Sequence, residues 1–227
     1  MVTPAGIPIV VRQTTYRGVG GLALVFAMGM ADARAPRASH DPDTPPPVAA
    51  ADTAVFAGGC FWGVEAVFEH LRGVTSAVAG YAGGTTVSPT YEQVSSGNTG
   101  HAESVQVIYD PGKISYTQLL QVFFTVAHDP TQLNRQGPDW GTQYRSIAFY
   151  RNAEQQQAIE SYIGELNHSA KYNKPIVTQV VALKAFYPAE GYHQGFMAKH
   201  PTNPYIVVND APKLDHLQRE FPALYRD

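Results

Sequence analysis

Hydrophobic positions in residues 53–150 form short apolar runs, an alternating segment at 103–109, and segments in which apolar residues recur three and four positions apart. The short runs and the alternation predict strands, and the wider spacing predicts amphipathic helices. The predicted strands are 53–57, 74–82, 103–109 and 146–150, and the predicted helices are 61–72 and a segment capped by Ser115. The resulting order, β-α-β-β-α-β, predicts an α+β fold with a ferredoxin-like split β-α-β core.

Extra helices and long loops are predicted around this core. Apolar spacing indicates a third helix, one more strand and two short C-terminal helices. These elements are residues 153–167, 176–183, 190–200 and 214–221 respectively. The polar, glycine-bearing segments 83–100 and 128–142 are predicted loops, and long loops inside a compact domain are often functional. We expect residues 53–227 to form a single domain.

The N-terminal segment has a different pattern. Arg12 and Arg17 precede an apolar run at 19–30, and small residues follow it, which is typical of a cleaved export signal. The run is shorter than the roughly 20 apolar residues that span a membrane. We therefore expect an export signal at 1–35, followed by a Pro- and Ala-rich linker at 36–52. The protein would then be periplasmic. The alternatives are a disordered extension and a cytoplasmic protein with a mis-assigned start.

Composition and charge exclude several classes of function. The net charge of −3 gives no electrostatic reason to expect nucleic acid binding. A four-cysteine zinc site and an intrachain disulfide both need more than the one cysteine present. The eight histidines are scattered, without a metal-binding helix motif, so we expect no metal site.

The single cysteine, Cys60, lies where the first predicted strand passes into the first predicted helix. Gly58 and Gly59 precede it and allow a tight turn, and Phe61 and Trp62 follow it. The N-terminus of a helix carries partial positive charge, which should lower the pKa of a thiol there and favour the reactive thiolate. The alternative is that Cys60 is a small buried apolar residue, as a lone cysteine usually is.

Four motifs resemble, in the same order, those of the peptide methionine sulfoxide reductase A family. The first is Gly-Gly-Cys-Phe-Trp-Gly-Val-Glu at 58–65, and the others are 91–103, 134–146 and 190–194. The resemblance covers residues 53–221. It implies thiol-dependent reduction of methionine S-sulfoxide, free or in proteins, and repair of oxidised proteins. Reductases of this kind act on one sulfoxide epimer each, and the sequence itself does not show the chirality.

The resemblance also implies roles for individual residues. Cys60 would attack the sulfoxide, Glu103 would protonate its oxygen, and Asp139 would order the polar network around it. Tyr91 and Tyr144 would hydrogen-bond the sulfoxide oxygen. The remaining assignments are Phe61 and Trp62 for the apolar cage of the S-methyl group, and His101, Tyr192 and His193 for support. Taken by position alone, Glu103 could instead be a solvated carboxylate and the tyrosines could be core residues.

Two other functions remain open from the residues themselves. A cysteine acyl-transfer enzyme would need a histidine near Cys60, and His101 or His193 could serve. A secreted binding domain would carry an inert thiol at Cys60.

Recycling is where the sequence departs from a common family pattern. Many members carry a resolving cysteine near the C-terminus, but residues 187–227 contain none, and position 63, where some relatives have a second cysteine, is Gly63. The resemblance therefore implies an external thiol reductant, such as thioredoxin, glutaredoxin or glutathione, and no bound cofactor. The expected partners are oxidised proteins or peptides and a thiol reductase or small thiol, with the protein itself a monomer.

Overall fold

The computed structural model describes residues 50–227. The predicted export signal at 1–35 lies outside the described residues, and so does the predicted linker at 36–52 apart from its last three positions. The first strand begins at Asp52, one residue earlier than predicted. No helix within the described part is both long enough and apolar enough to cross a membrane.

Strands and helices alternate along the first half of the described chain, and short elements dominate the second half. The strands are β1 (Asp52–Ala57), β2 (Val74–Ala82), β3 (Ala102–Tyr109), β4 (Arg135–Gln136), β5 (Asp139–Trp140), β6 (Ile147–Tyr150), β7 (Gln179–Ala182) and β8 (Phe186–Pro188). The α-helices are α1 (Phe61–Glu69), α2 (Tyr91–Ser95), α3 (Tyr116–Val122), α4 (Ala153–His168), α5 (Phe196–Lys199) and α6 (Ala211–Glu220). A π-helical turn follows α3 at Phe123–Ala127, another precedes α6 at Ile206–Asp210, and a 3-10 turn spans Thr142–Tyr144.

Six strands form one sheet in the order β7-β6-β1-β3-β2-β8. All neighbouring pairs are antiparallel except β6 and β7, which are parallel. The predicted α+β class is confirmed. β1 lies inside the sheet and is buried on both faces from Ala54 to Ala57, which is why its sequence is a continuous apolar run instead of an alternation.

Helices cover one face of this sheet and form the larger core with it. Phe56 of β1 stacks between Phe68 of α1 and Phe123 of the first π-helical turn, with ring centroids 5.3 and 4.7 Å apart. Each fully buried aromatic side chain of this kind contributes on the order of 2 kcal/mol through burial. This packing fixes α1 on the sheet and therefore fixes the position of Cys60, the residue before its first turn.

Several predicted boundaries in the first half differ from the structure. α1 ends at Glu69 instead of residue 72, and His70 caps it. The predicted loop at 83–100 contains α2, which Thr90 and Gln93 begin through a reciprocal capping box. The predicted loop at 128–142 contains the β4–β5 hairpin.

The C-terminal predictions were less accurate because these elements are short. Of the strand predicted at 176–183, only β7 forms, and β8 was not predicted. The helix predicted at 190–200 is reduced to α5. α6 starts three residues before the predicted position, since Pro212 is tolerated in the first turn of a helix.

Candidate active site

Gly58 and Gly59 form a tight turn between the end of β1 and Cys60, the residue before α1. Gly59 has a φ of +93°, a conformation that favours glycine. A Cβ atom on Gly59 would lie 2.5 Å from Cγ of Gln136, and one on Gly58 would lie 2.8 Å from Cγ of His128. The turn therefore has no room for side chains at these two positions, and Cys60 follows directly as the N-cap of α1.

Cys60 opens into a cavity of about 210 Å³. Larger clefts of about 420 and 480 Å³ lie elsewhere on the domain, but Cys60 lines neither of them. The residues that line the cavity are Cys60, Phe61, Trp62, Tyr91, Glu103, Asp139, Tyr144 and Tyr205. All the residues predicted for catalysis and substrate binding therefore meet here, together with Tyr205, which the sequence reasoning missed.

Glu103 is the buried carboxyl group of the cavity. It is the second residue of β3 and is only 2% exposed. Its Oε2 accepts a hydrogen bond of 3.0 Å from the backbone N–H of Phe61. Burial, together with the negative charges of Asp139 and Asp210, raises the pKa of Glu103 to about 8, although the Phe61 hydrogen bond acts in the opposite direction. Glu103 is therefore protonated at neutral pH.

Cys60 does not have the lowered pKa that its place at a helix N-terminus predicted. The residue is 9% exposed, and burial, followed by the negative charges of Glu103 and Asp210, raises the thiol pKa well above its ordinary value. The backbone N–H of Trp62 and the ammonium group of Lys213 lower it only in part. The expected lowering of the thiol pKa was wrong because desolvation outweighs the charge of the helix terminus.

Two tyrosines bring hydroxyl groups to the cavity, one from the first predicted loop and one from just after the second. Tyr91 starts α2, and Tyr144 ends the 3-10 turn that follows β5. Burial and the charge of Glu103 raise the pKa of both phenols, so both remain neutral and can donate hydrogen bonds.

An aromatic wall forms the apolar side of the cavity. The Trp62 ring stacks on Phe196 of α5 with centroids 3.7 Å apart, and it packs against the Tyr205 ring in a T-shaped arrangement with centroids 6.0 Å apart. Phe61 is 1% exposed. This wall is suited to an apolar group such as a methyl attached to sulfur.

Asp139 is tied to the C-terminal part of the domain. Its Oδ2 accepts a hydrogen bond from the hydroxyl of Tyr205. Nothing in the local pattern around Tyr205 marks it as a cavity residue, because its position depends on how the second π-helical turn packs beside α1.

His193 and Tyr192 lie behind the cavity instead of lining it. Nδ1 of His193 accepts a hydrogen bond of 3.1 Å from the indole N–H of Trp62. The His193 ring also contacts Phe61 and Tyr91, with centroids 4.9 and 4.5 Å away. Tyr192 is 56% exposed and packs against the His193 ring with centroids 4.2 Å apart. His193 thus holds three cavity residues in place.

His101 holds a loop and does not reach the cavity. Its Nδ1 accepts a hydrogen bond of 3.1 Å from the backbone N–H of Gly84, and its Nε2 is 2.8 Å from the carbonyl oxygen of Thr86. Since Nδ1 is an acceptor, Nε2 carries the proton and donates to Thr86. No histidine lines the cavity at Cys60, so the acyl-transfer hypothesis lacks its base.

Comparison with known proteins points to one family. The family model described as peptide methionine sulfoxide reductase matches residues 52–224. Peptide methionine sulfoxide reductase MsrA 2 from Mesorhizobium japonicum is 57% identical over 176 residues, which is 78% of this chain and 90% of the relative. Peptide methionine sulfoxide reductase MsrA from Thermus thermophilus is 49% identical over 175 residues, which is 77% of this chain and 98% of the relative.

Solved structures agree with these relatives. Mxr1 from Saccharomyces cerevisiae in reduced form has a TM-score of 0.62 and 34% identity, covering 67% of this chain and 87% of that chain. Methionine sulfoxide reductase A of Corynebacterium diphtheriae has a TM-score of 0.60 and 35% identity, covering 67% of this chain and 76% of that chain. The resemblance inferred from the four motifs is thereby confirmed, and this chain belongs to the peptide methionine sulfoxide reductase family.

Proposed function

We propose that this protein reduces the S epimer of methionine sulfoxide, free or in proteins, by transferring the oxygen to Cys60. Reduction of methionine sulfoxide, and with it the repair of oxidised proteins, is the activity of the family to which the chain belongs. The observation that carries the proposed mechanism is that the thiol of Cys60 shares one cavity with a carboxyl group, Glu103, that is protonated at neutral pH.

Glu103 is the proton donor of the proposed step, because protonation of the sulfoxide oxygen weakens its bond to the methionine sulfur. As the sulfur of Cys60 bonds to this oxygen, the sulfur–oxygen bond of the substrate breaks, the Glu103 proton moves to the oxygen, and the thiol proton replaces it on the carboxylate. The methionine sulfur is reduced, the sulfur of Cys60 is oxidised to a sulfenic acid, and methionine leaves. This coupling lets a thiol with a raised pKa react without first becoming a free thiolate.

The other cavity residues position the sulfoxide in this scheme. The neutral hydroxyls of Tyr91 and Tyr144 donate to the sulfoxide oxygen, where charge develops. Asp139 orders the polar side through Tyr205. Phe61 and Trp62 receive the S-methyl group against the aromatic wall.

A single turnover without reductant tests the proposed function. With excess S-sulfoxide peptide, the protein is expected to release one equivalent of methionine per Cys60 and then stop, because no second cysteine can resolve the sulfenic acid. Dimedone trapping and mass spectrometry would locate the adduct on Cys60. An intact thiol after methionine release, or no release at all, would contradict the proposal.

A racemic sulfoxide peptide, with dithiothreitol as the reductant, decides the epimer. Chiral chromatography after exhaustive turnover with dithiothreitol should show loss of the S form alone. Consumption of the R form would refute the assigned stereochemistry.

An external thiol completes the proposed cycle. Thioredoxin, glutaredoxin or glutathione supplies it, since the chain has one cysteine, and the protein acts as a monomer on oxidised proteins or peptides. A thiol attacks the sulfenic acid to give a mixed disulfide on Cys60, and a second thiol releases it. Size-exclusion chromatography with light scattering would test the monomer.

We also assign the ferredoxin-like split β-α-β arrangement to the centre of the sheet. The support is the neighbour order β6-β1-β3-β2, with every pair antiparallel, and two crossovers through α1 and α3. A crystal structure with a different order of these four strands would overturn the assignment.

Export is the remaining proposal, and it rests on the sequence of residues 1–35. A basic segment, an apolar run and small residues in this order direct secretion and cleavage. Mass spectrometry of protein from its native source is expected to find a new N-terminus at 32–36, in the periplasmic fraction. An intact Met1 in cytoplasmic protein would instead support the mis-assigned start.

A further inference from the structure

A second cavity reaches Cys60 from another side. It has a volume of about 100 Å³ and shares Cys60, Asp139 and Tyr205 with the first cavity. Its own lining comes from residues 136–138, before β5, and from Asn209, Asp210 and Lys213, around the start of α6. Cys60 thus lines two cavities, and the Asp139–Tyr205 hydrogen bond belongs to the walls of both.

Asp210 is the unusual residue of the second cavity. It is 1% exposed, and its Oδ1 accepts a hydrogen bond of 3.0 Å from Nζ of Lys213. Its Oδ2 is buried and has no hydrogen-bond partner among the described residues. A buried acceptor without a partner costs about 1–3 kcal/mol, so an arrangement that retains one calls for an explanation.

Gly63 makes room for this ion pair one helical turn after Cys60. A Cβ atom at position 63 would lie 2.0 Å from Oδ1 of Asp210 and 2.7 Å from Nζ of Lys213. The place where some relatives have a second cysteine is therefore occupied here by a carboxylate and an ammonium group. The pair lies beside the catalytic thiol, and its two charges act on the pKa of Cys60 in opposite directions.

We propose that the second cavity admits the external thiol that resolves the Cys60 sulfenic acid, and that Asp210 Oδ2 accepts the proton of this thiol. The proposal rests on the proposed function, because the sulfenic acid is the product of the first step. It assigns separate entrances to the two substrates: the sulfoxide enters the cavity of Glu103, and the thiol enters the cavity of Asp210.

The chemistry balances with groups present on the two sides of Cys60. The thiol passes its proton to Asp210, its sulfur bonds to the sulfur of Cys60, and the sulfur–oxygen bond breaks. Glu103 protonates the departing hydroxide to give water, and solvent returns the two carboxyl groups to their starting states. The sulfur of Cys60 is reduced and the thiol sulfur is oxidised to a mixed disulfide, which a second thiol cleaves.

The cavity also limits the kind of thiol. About 100 Å³ accommodates a cysteinyl side chain, whereas a whole tripeptide must remain mostly outside. Lys213 is 18% exposed and places a positive charge at this opening. The fitting ligand is a cysteinyl thiol with a nearby carboxylate, carried by a small molecule such as glutathione or by a reductase.

Kinetics of Asp210→Asn separate the two half-reactions. We expect kcat/KM for the thiol to fall about 10²–10⁴-fold, as for loss of a general base, while the reductant-free yield stays at one equivalent of methionine. Asp215→Asn, at an exposed position in the helix that follows Asp210, is the matched control and should leave both values at the wild-type level. Unchanged kcat/KM in Asp210→Asn with every thiol would overturn the proposal.

A second variant keeps the test decisive if Asp210→Asn does not fold. Lys213→Met keeps a long side chain but removes its positive charge. It should therefore raise KM for anionic glutathione about tenfold more than KM for uncharged dithiothreitol. Equal KM changes for the two thiols would overturn the proposal. If the variants impair the reaction with glutathione alone, the ligand of the second cavity is a small thiol. If they impair the reaction with thioredoxin as well, the cavity also receives a protein thiol. Failure of the wild type to yield any methionine would instead refute the proposed function.

Discussion

Replacing Cys60 by serine is expected to abolish methionine release, both in a single turnover and with dithiothreitol. A serine hydroxyl is a far weaker nucleophile than a thiol, and its oxygen cannot accept the sulfoxide oxygen as sulfur does in a sulfenic acid. Chromatographic detection of methionine from an S-sulfoxide peptide measures the effect. The side chain is almost isosteric and only 9% of the residue is exposed, so the domain should remain folded.

Circular dichroism and the thermal midpoint provide the control for this variant. Cys60→Ala removes the group altogether and should be equally inactive. Methionine release by Cys60→Ser above the level of Cys60→Ala would show that the oxygen acceptor is not the sulfur at position 60.

Glu103→Gln is expected to lower the rate of sulfoxide reduction about 10²–10⁴-fold, because it removes the proton donated to the departing oxygen. The amide oxygen of glutamine can still accept the hydrogen bond from the Phe61 backbone, so the cavity should keep its shape. Only the protonated carboxyl group is active in this scheme. The wild-type rate should therefore fall as the pH rises above about 8, the pKa of Glu103.

The pH profile separates an acid role from a structural one. Glu103→Gln should lose the decline above pH 8, since an amide does not titrate. Glu92→Gln, an exposed carboxylate next to Tyr91 in α2, is the matched control and should retain both the rate and the profile. Full activity of Glu103→Gln from neutral pH to about pH 9 would refute the assigned donor.

The central strands and the first helices could be predicted because their buried residues form recognisable local patterns of apolar positions. β1 was predicted from an apolar run and β3 from an alternation of apolar and polar residues, and the Ser115 cap predicted before α3 is present with Gln118 as its partner. The short C-terminal elements could not be predicted in this way. β8 consists of three residues, and it is a strand only because β2 offers an edge to pair with.

The cavity was predicted from motifs, whereas its electrostatics depend on the fold. Cys60 and Glu103 lie in separate segments of the chain, and only the pairing of strands brings them together. The burial that raises the pKa of Cys60 arises from residues distant in sequence, so the local helix-terminus argument had the wrong sign. Tyr205 and Asp210 escaped prediction for the same reason, since they reach Cys60 only through the packing of the C-terminal segment beside α1.

Because the C-terminal segment packs around Cys60, the order of synthesis determines when the environment of this thiol is complete. The ribosome makes residue 60 long before residues 205–213, which close both cavities around its sulfur. Backbone hydrogen bonds from Arg72 to Leu224 and from Arg226 to His70 then join the last described segment to the end of α1. A nascent chain that lacks residues 205–213 exposes the Cys60 thiol and lacks part of the lining of both cavities. The active site is therefore complete only after these residues have been translated.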